Sequence, residues 1–236
     1  MRKIQIAAVV SSAHVDGNGA RLVKEIRKGA EKQGAEVTEI FLHQEKLNFC
    51  TGCNQCMAIG KCPIPDNFET IRSLLYHADG IILCSPTFCG SFNAAMKNLL
   101  ERLGMFERCT SMLSNKYVVA VSTASQERAA KKTAKELAVG ISSCLYGRNM
   151  VSGILGASIL PDGVSENKMV LQRAFSMGEK LTADINEHKK YSFQYPLNRL
   201  IMHRFVQPVM NKFIVENQDQ ATRAVYENLR QRGVLR

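Results

Sequence analysis

The chain has 236 residues, 45% hydrophobic and 22% charged, with eight cysteines and a formal net charge of +10. Those figures exclude wholesale disorder, and 16 glycines with 6 prolines exclude a fibrous repeat. No apolar run approaches the roughly 18 residues that span a bilayer, and the stretch over residues 4–10 is too short for a secretory leader. The expected compartment is the cytoplasm, where thiols stay reduced, so the cysteines need a role other than disulfides.

Residues 4–10 read as a short buried strand bounded by Ser11 and Ser12. From Asn18 onward, Leu22, Val23, Ile26 and Ala30 recur at helical spacing, and Gly34 supplies a stop. Residues 37–42 form a second strand, followed by a cysteine-rich loop over 48–66. Asp66 stands where it can cap a helix carrying Phe68, Ile71, Leu74 and Leu75. Residues 80–85 make a third strand, nearly all apolar, as when both faces of a parallel sheet are covered. A helix over 91–103, a strand within 116–122, a helix over 128–145, a strand over 150–155 weakened by Gly153, and a long helix over 166–188 follow.

Five strands alternating with helices predict an α/β fold, a doubly wound five-stranded parallel sheet. Its ligand crevice belongs at the carboxyl ends of the strands, where the connecting loops are 11–19, 85–91 and 122–126. The expected organisation is one α/β domain over 1–189, with the cysteine loop inserted after the second strand. A basic helical extension covers 190–236.

The cysteine loop carries the sharpest signal. Cys50, Cys53, Cys56 and Cys62 have the spacing C-x2-C-x2-C-x5-C, followed by Pro63. Bacterial ferredoxin runs space their ligands in this style around [4Fe–4S] clusters. Thiolates also select zinc or Cu(I), though zinc more often takes two C-x2-C pairs set well apart. Four small buried thiols without metal are the remaining reading. Cys84, Cys109 and Cys144 read as packing residues; Cys89, in the loop after the third strand, is either another or a residue facing a ligand.

The loop Ser11-Ser12-Ala13-His14-Val15-Asp16-Gly17-Asn18-Gly19 offers hydroxyls, an amide, glycines and a helix N-terminus, which together suit a phosphate. It matches neither G-x-G-x-x-G nor a Walker loop. In Ser85-Pro86-Thr87-Phe88-Cys89-Gly90-Ser91, Pro86 and Phe88 offer flat apolar surfaces, and the backbone at Thr87 and Gly90 can meet polar ring edges.

Taken in order, these pieces resemble the flavodoxin-like NAD(P)H-dependent FMN reductases, in particular the iron–sulfur flavoproteins. That family shows a Ser-rich loop ending Gly-Asn-Thr, a C-x2-C-x2-C-x5-C loop, and Ser-Pro-x-Tyr-x-Gly after the third strand. The counterparts here are Ser12 with Gly17-Asn18-Gly19, Cys50 to Cys62, and Ser85 to Gly90. The resemblance covers about residues 3–160. It implies FMN, with the phosphate on Ser12, His14, Gly17, Asn18 and Gly19. It sets the ring against Pro86, Thr87, Phe88, Cys89 and Gly90, with Ser122 and Thr123 nearby. It further implies a [4Fe–4S] cluster on Cys50, Cys53, Cys56 and Cys62, with NAD(P)H as a possible donor. Four departures stand out: Gly19 replaces Thr, His14 stands where Arg is common, Phe88 replaces Tyr, and the loop 122–126 lacks a Gly-rich run. No general acid or base is assigned.

Residues 190–236 hold eight Lys and Arg against three Asp and Glu, half of the net charge. Leu197, Leu200, Ile201, Phe205, Val209, Phe213 and Ile214 form a broad apolar stripe, expected to pack on the chain's own core or on a partner subunit. A membrane-surface helix is the lesser reading. Nucleic acid is not expected, since no binding motif or stacking pattern of aromatics is visible. The expected function is a flavin-dependent oxidoreductase or electron-transfer protein, working as a homodimer or homotetramer with ferredoxin or a small molecule as redox partner. A cluster-free FMN or quinone reductase, a non-enzymatic electron carrier and a zinc-stabilised binding module are the alternatives.

Overall fold

In the computed structural model, residues 2–142, 145–160, 162–194 and 196–235 are described. Cys144 lies outside them. The first half runs β1 (Gln5–Val10), α1 (Asn18–Lys32), β2 (Glu36–Phe41), α2 (Leu42–Glu45), α3 (Gln55–Ile59), α4 (Phe68–His77), β3 (Gly80–Phe88) and β4 (Ser91–Phe92). Next come α5 (Ala94–Thr110), β5 (Tyr117–Ala124), α6 (Glu127–Ser142), β6 (Met150–Ser158), a 3₁₀ turn (Val164–Glu166) and α7 (Lys168–Asn186). The tail holds α8 (Pro196–Ile201), a π-helical segment (Met202–Val206), α9 (Gln207–Glu216) and α10 (Arg223–Gln231).

The sheet order is β2-β1-β3-β5-β6, all parallel, with β4 antiparallel on β3. Strand order reverses between β1 and β3, which opens a crevice at their carboxyl ends. Period-2 alternation explains why both faces are covered. Ile6, Ala8, Val10, Ile82, Cys84, Val119 and Val121 face a core shared with Leu22, Val23 and Ile26 of α1 and Leu181 of α7. Their neighbours Ala7, Val9, Ile81, Leu83, Val118 and Ala120 face the opposite core, against Phe68, Ile71, Met96, Leu99 and Leu137. Each buried Leu, Ile or Phe contributes about 1.5–3 kcal/mol of transfer free energy. Helices α1 and α7 meet backbone to backbone: a Cβ built on Gly178 would lie 1.8 Å from the Ile26 carbonyl oxygen.

The main departures from sequence expectation flank the crevice and the cysteine loop. Strand β3 continues through Ser85, Pro86 and Thr87 to Phe88, so most of the expected loop is strand. It turns through Cys89 (φ +49°) and Gly90 (φ +80°) into β4. Two central residues with positive φ are the type I′ geometry that suits hairpin twist. Helix α5 accordingly starts at Ala94 rather than near 91 and extends to Thr110. The loop 48–66 contains the short helix α3.

A third core joins the tail to the body: Met57 of α3, Phe106 and Cys109 of α5, Ile214 of α9, and Val225 and Leu229 of α10. Part of the tail thus packs on its own chain, while Leu197, Leu200, Phe205 and Val209 stay 61–68% exposed. The π-helical segment ends two residues before Pro208, whose missing N–H removes one helical bond and whose ring crowds the turn before it. Among the described residues no helix is long and apolar enough to cross a membrane.

Candidate functional site

The crevice at the β1/β3 reversal is built from backbone more than from side chains. Ser11 is fully buried; its N–H and Oγ both donate to the Cys84 carbonyl, at 2.9 and 3.2 Å. Ser12 is half-buried, and its Oγ accepts from the His14 N–H at 3.3 Å. Gly17, the residue before α1, is extended and supplies no side-chain cap. The first N–H groups of this 15-residue helix are therefore open to an anion. A Cβ on Gly17 would crowd the His14 carbonyl at 3.1 Å and the Ser12 Oγ at 3.3 Å. The loop's glycine thus has a steric reason.

His14 is exposed beside this opening. Asn18, expected on the phosphate, has its Oδ1 fixed by the Val164 N–H at 3.0 Å, which leaves its Nδ2 as the donor for an anion. Gly19 packs under the helix start, where a Cβ would lie 2.9 Å from the Cys84 Sγ. That close approach explains why Thr is absent there. Arg21, not singled out in the sequence, donates through Nε to the Asp16 carbonyl at 2.8 Å and reaches Ser165, so a cation braces the loop.

The second wall is the β3–β4 hairpin. Thr87 Oγ1 lies 3.0 Å from the Ser122 Oγ and donates to the Thr133 Oγ1 at 3.0 Å. Ser122 and Thr123 are buried and stand in register with Ser85 and Pro86. Phe88 is 62% exposed at the rim. Cys89 is exposed at the hairpin tip, so it is not the buried packing thiol that was one of its two readings. Cys84 and Cys109 are buried, as packing residues should be. Burial pushes the Cys84 thiol up to about 12.

Asn93 ties both walls together, a role the sequence analysis missed. It caps α5 by accepting from the Met96 N–H at 3.2 Å. It also accepts from the Ser85 Oγ at 3.2 Å and donates to the Ser11 carbonyl at 2.6 Å. An Asn just before an apolar helical run was the available signal.

Cys50, Cys53, Cys56 and Cys62 line one small cleft together with Arg102 and Met105 of α5. Gly52 (φ +66°), Asn54 (φ +56°) and Gly60 (φ +74°) supply the left-handed turns that wrap the loop around it. Helices α4 and α5 anchor the loop. The Cys50 N–H donates to Asn98 Oδ1 at 3.3 Å, and the Cys62 N–H to Glu69 Oε1 at 2.8 Å. Arg102, with its side chain wholly buried, pairs with Asp66 at 2.8 and 3.0 Å and donates to the Asn48 carbonyl at 2.8 Å. Its guanidinium lies over the Phe68 ring at 4.4 Å, and its Nε is buried with no partner. Burial alone would raise the Asp66 carboxyl, but Arg102 and the Asn48 and Phe68 amides hold it below its ordinary value.

The thiols differ. The Gln55 N–H and the Thr51 hydroxyl hold Cys53 below the usual thiol range. Burial, and then the neighbouring Cys62 and Cys53, push Cys56 up. Among the described residues no group of three or more His, Cys, Asp or Glu side chains is arranged to hold a metal ion. The donor chemistry nonetheless fits an anionic iron–sulfur group: four thiols on one cleft, N–H groups aimed at sulfur, and a buried cation with a free donor beneath.

A family model described as NADPH-dependent FMN reductase matches residues 4–158. The chain is 37% identical over 99 residues to an iron–sulfur flavoprotein of Methanocaldococcus jannaschii, covering 42% of this chain and 51% of that one. It is 29% identical over 100 residues to an iron–sulfur flavoprotein of Archaeoglobus fulgidus, covering 42% and 46%. The matched segments thus span about half the length of these relatives. In fold, a flavone reductase superposes with a TM-score of 0.63 at 17% identity, covering 80% of this chain and 66% of that one. The apo form of an NADH:FMN oxidoreductase superposes at 0.59 with 14% identity, covering 87% and 99%.

Proposed function

The chain belongs to the NADPH-dependent FMN reductase family, and on that premise we propose that it is an FMN-dependent oxidoreductase carrying a [4Fe–4S] cluster on Cys50, Cys53, Cys56 and Cys62. The observation that carries this reading is the pairing of an uncapped α1 N-terminus at the strand-order reversal with four thiols lining one cleft. FMN supplies hydride and single-electron chemistry, and a cluster single-electron chemistry. The chain's part is to bind, orient and tune.

The α1 amides, with the Ser12 hydroxyl and the His14 and Arg21 side chains at the loop, hold the phosphate. The Val164 N–H fixes the Asn18 Oδ1, and the Nδ2 of that side chain is a further donor to the phosphate. Pro86, Thr87, Phe88 and Gly90 form the wall for the ring. The Thr87–Ser122–Thr133 hydroxyl cluster and Asn93 keep that wall rigid. Arg102 offsets the negative charge gathered by four thiolates. NAD(P)H or ferredoxin is the donor, and the basic surface suits an acidic electron carrier by steering. The exposed apolar stripe on α8 and α9 supports a homo-oligomer, and the free thiols support the reducing cytoplasm.

A cluster-free FMN or quinone reductase with structural thiols is the second reading, supported by the match to NADPH-dependent FMN reductases over residues 4–158. Iron analysis separates the two.

The binding reading is tested by titrating FMN into the flavin-depleted protein and following flavin fluorescence. Saturable one-to-one quenching is expected, weakened about tenfold or more in Gly17→Val, which costs at least about 1.4 kcal/mol of binding. Absence of binding, or equal affinity of the variant, overturns the phosphate site.

A further inference from the structure

The two ends of the cysteine loop are tied to the body by hydrogen bonds, the Cys50 N–H to Asn98 of α5 and the Cys62 N–H to Glu69 of α4. Cys56 is held differently. It sits on α3, a helix of only five residues. Isolated helices shorter than about 12–15 residues are marginal in water, so α3 depends on what packs against it.

That packing comes largely from the C-terminal extension. Met57, the neighbour of Cys56, is 3% exposed in a core whose described buried members include Ile214, Val225, Leu229 and Leu235 of the extension. Cys56 itself packs against this core, and Phe106 and Cys109 of α5 complete it. Just past α3, Gly60 takes φ +74°, and a Cβ built on it would lie 3.3 Å from the Ala224 Cβ. Helix α10 therefore rests on the turn between Cys56 and Cys62. It is fixed to the body in its own right: Arg232, just past its end, donates to the Thr110 carbonyl, and the Asn228 Nδ2 donates to the Met112 Sδ at 3.2 Å. The extension lies beyond residues 4–158, which the family model matches, so the family likeness does not account for it.

We propose that α10 is a positioning element for Cys56: it clamps α3 onto α5 and so sets the place and the shelter of the third thiol of the cleft. Segments of a folded protein open locally at a lower free energy than global unfolding. Loosening α10 releases α3 while the sheet and its crevice stay folded, and Cys50 and Cys62 keep their own anchors. For an iron–sulfur group in the cleft, which rests on the reading proposed above, the clamp keeps one of four ligands in place and slows the loss of iron.

The test compares purified full-length wild type with Leu229→Ala, which opens a cavity on the α10 side of this core. Leu181→Ala, an equal truncation at a fully buried site on the opposite face of the sheet, is the control for general loss of stability. Alkylation of each cysteine by iodoacetamide is followed by mass spectrometry on chelator-treated protein, at a temperature where circular dichroism shows every variant folded. Iron release to a chelator is followed in parallel on anaerobically purified protein. Cys56 is expected to react about tenfold faster or more in Leu229→Ala, with the exposed Cys50 and Cys53 unchanged. Leu181→Ala should leave Cys56 at the wild-type rate, and the volume-conserving Leu229→Met should stay close to it. Iron should leave Leu229→Ala about tenfold faster or more. If Leu229→Ala does not fold, the smaller truncation Val225→Ala takes its place with the same expectation. An unchanged Cys56 rate, or an equal rise in Leu181→Ala, overturns the proposal. A wild type free of iron counts against the cluster reading alone, and the alkylation rates then decide this one.

Discussion

Replacing Asp66 by Ala strips the only carboxylate paired with Arg102 among the described ion pairs. The guanidinium is wholly buried and the carboxylate nearly so, at 0% and 6% side-chain exposure. Removing one partner leaves an uncompensated buried charge, which costs about 3–5 kcal/mol, whereas an exposed pair is worth about 1 or less. Asp66 also accepts from the Asn48 and Phe68 amides at 2.9 and 3.1 Å, so the upper part of that range applies. For a chain of this size roughly 2–4 °C of melting temperature goes with each kcal/mol. Asp66→Ala should therefore melt roughly 8–20 °C below the wild type, as read by circular dichroism. The double variant Asp66→Leu/Arg102→Met removes the orphaned charge and should recover part of the loss. A loss below about 1 kcal/mol, or a double variant worse than Asp66→Ala, would refute the reasoning. The pair also has a pH signature. The Asp66 carboxyl is held below 3.8, so its contribution is complete above that value and fades as pH falls through the lowered one.

Other perturbations probe other parts of the structure. Glu107 is raised from 4.5 to about 8, so between those values the folded chain holds a proton that the unfolded chain lacks. Its presence should make stability fall as pH rises across that window, by about 1.4 kcal/mol per unit at most, and urea titrations should find this slope removed in Glu107→Gln. Asn93→Ala loses a helix cap and the bond to the Ser11 carbonyl; a loss of about 2–3 kcal/mol in urea unfolding, with weaker FMN binding, is expected. Gly178→Ala drives a Cβ into the Ile26 carbonyl and should cost about 1–3 kcal/mol, seen as a lowered melting temperature.

The alternation of strands and helices was legible because the inner strands β1, β3 and β5 are buried on both faces and leave apolar runs, as at residues 80–85. The extension of β3 through Pro86 and Thr87 was not, since Pro and polar residues at a strand end read as a loop until a partner strand pairs with them. Asn18 shows a similar limit: its type and place suit a phosphate, but only the fold brings the Val164 N–H to its Oδ1. Asp66 was legible as a helix cap, and its Oδ1 accepts the Phe68 N–H, but the burial of Arg102 and Glu107 was not. Their burial arises from the packing of α4, α5 and the tail over the cysteine loop, which no local pattern encodes. The four thiols clustered on spacing, by contrast, line one cleft in the fold.

The most direct measurement is the visible spectrum and iron content of anaerobically purified wild type beside Cys53→Ala. Flavin bands are expected in both proteins, with broad thiolate-to-iron absorbance and about four irons per chain only in the wild type. Flavin bands missing from both would contradict the flavin reading, and a wild type free of iron would contradict the cluster.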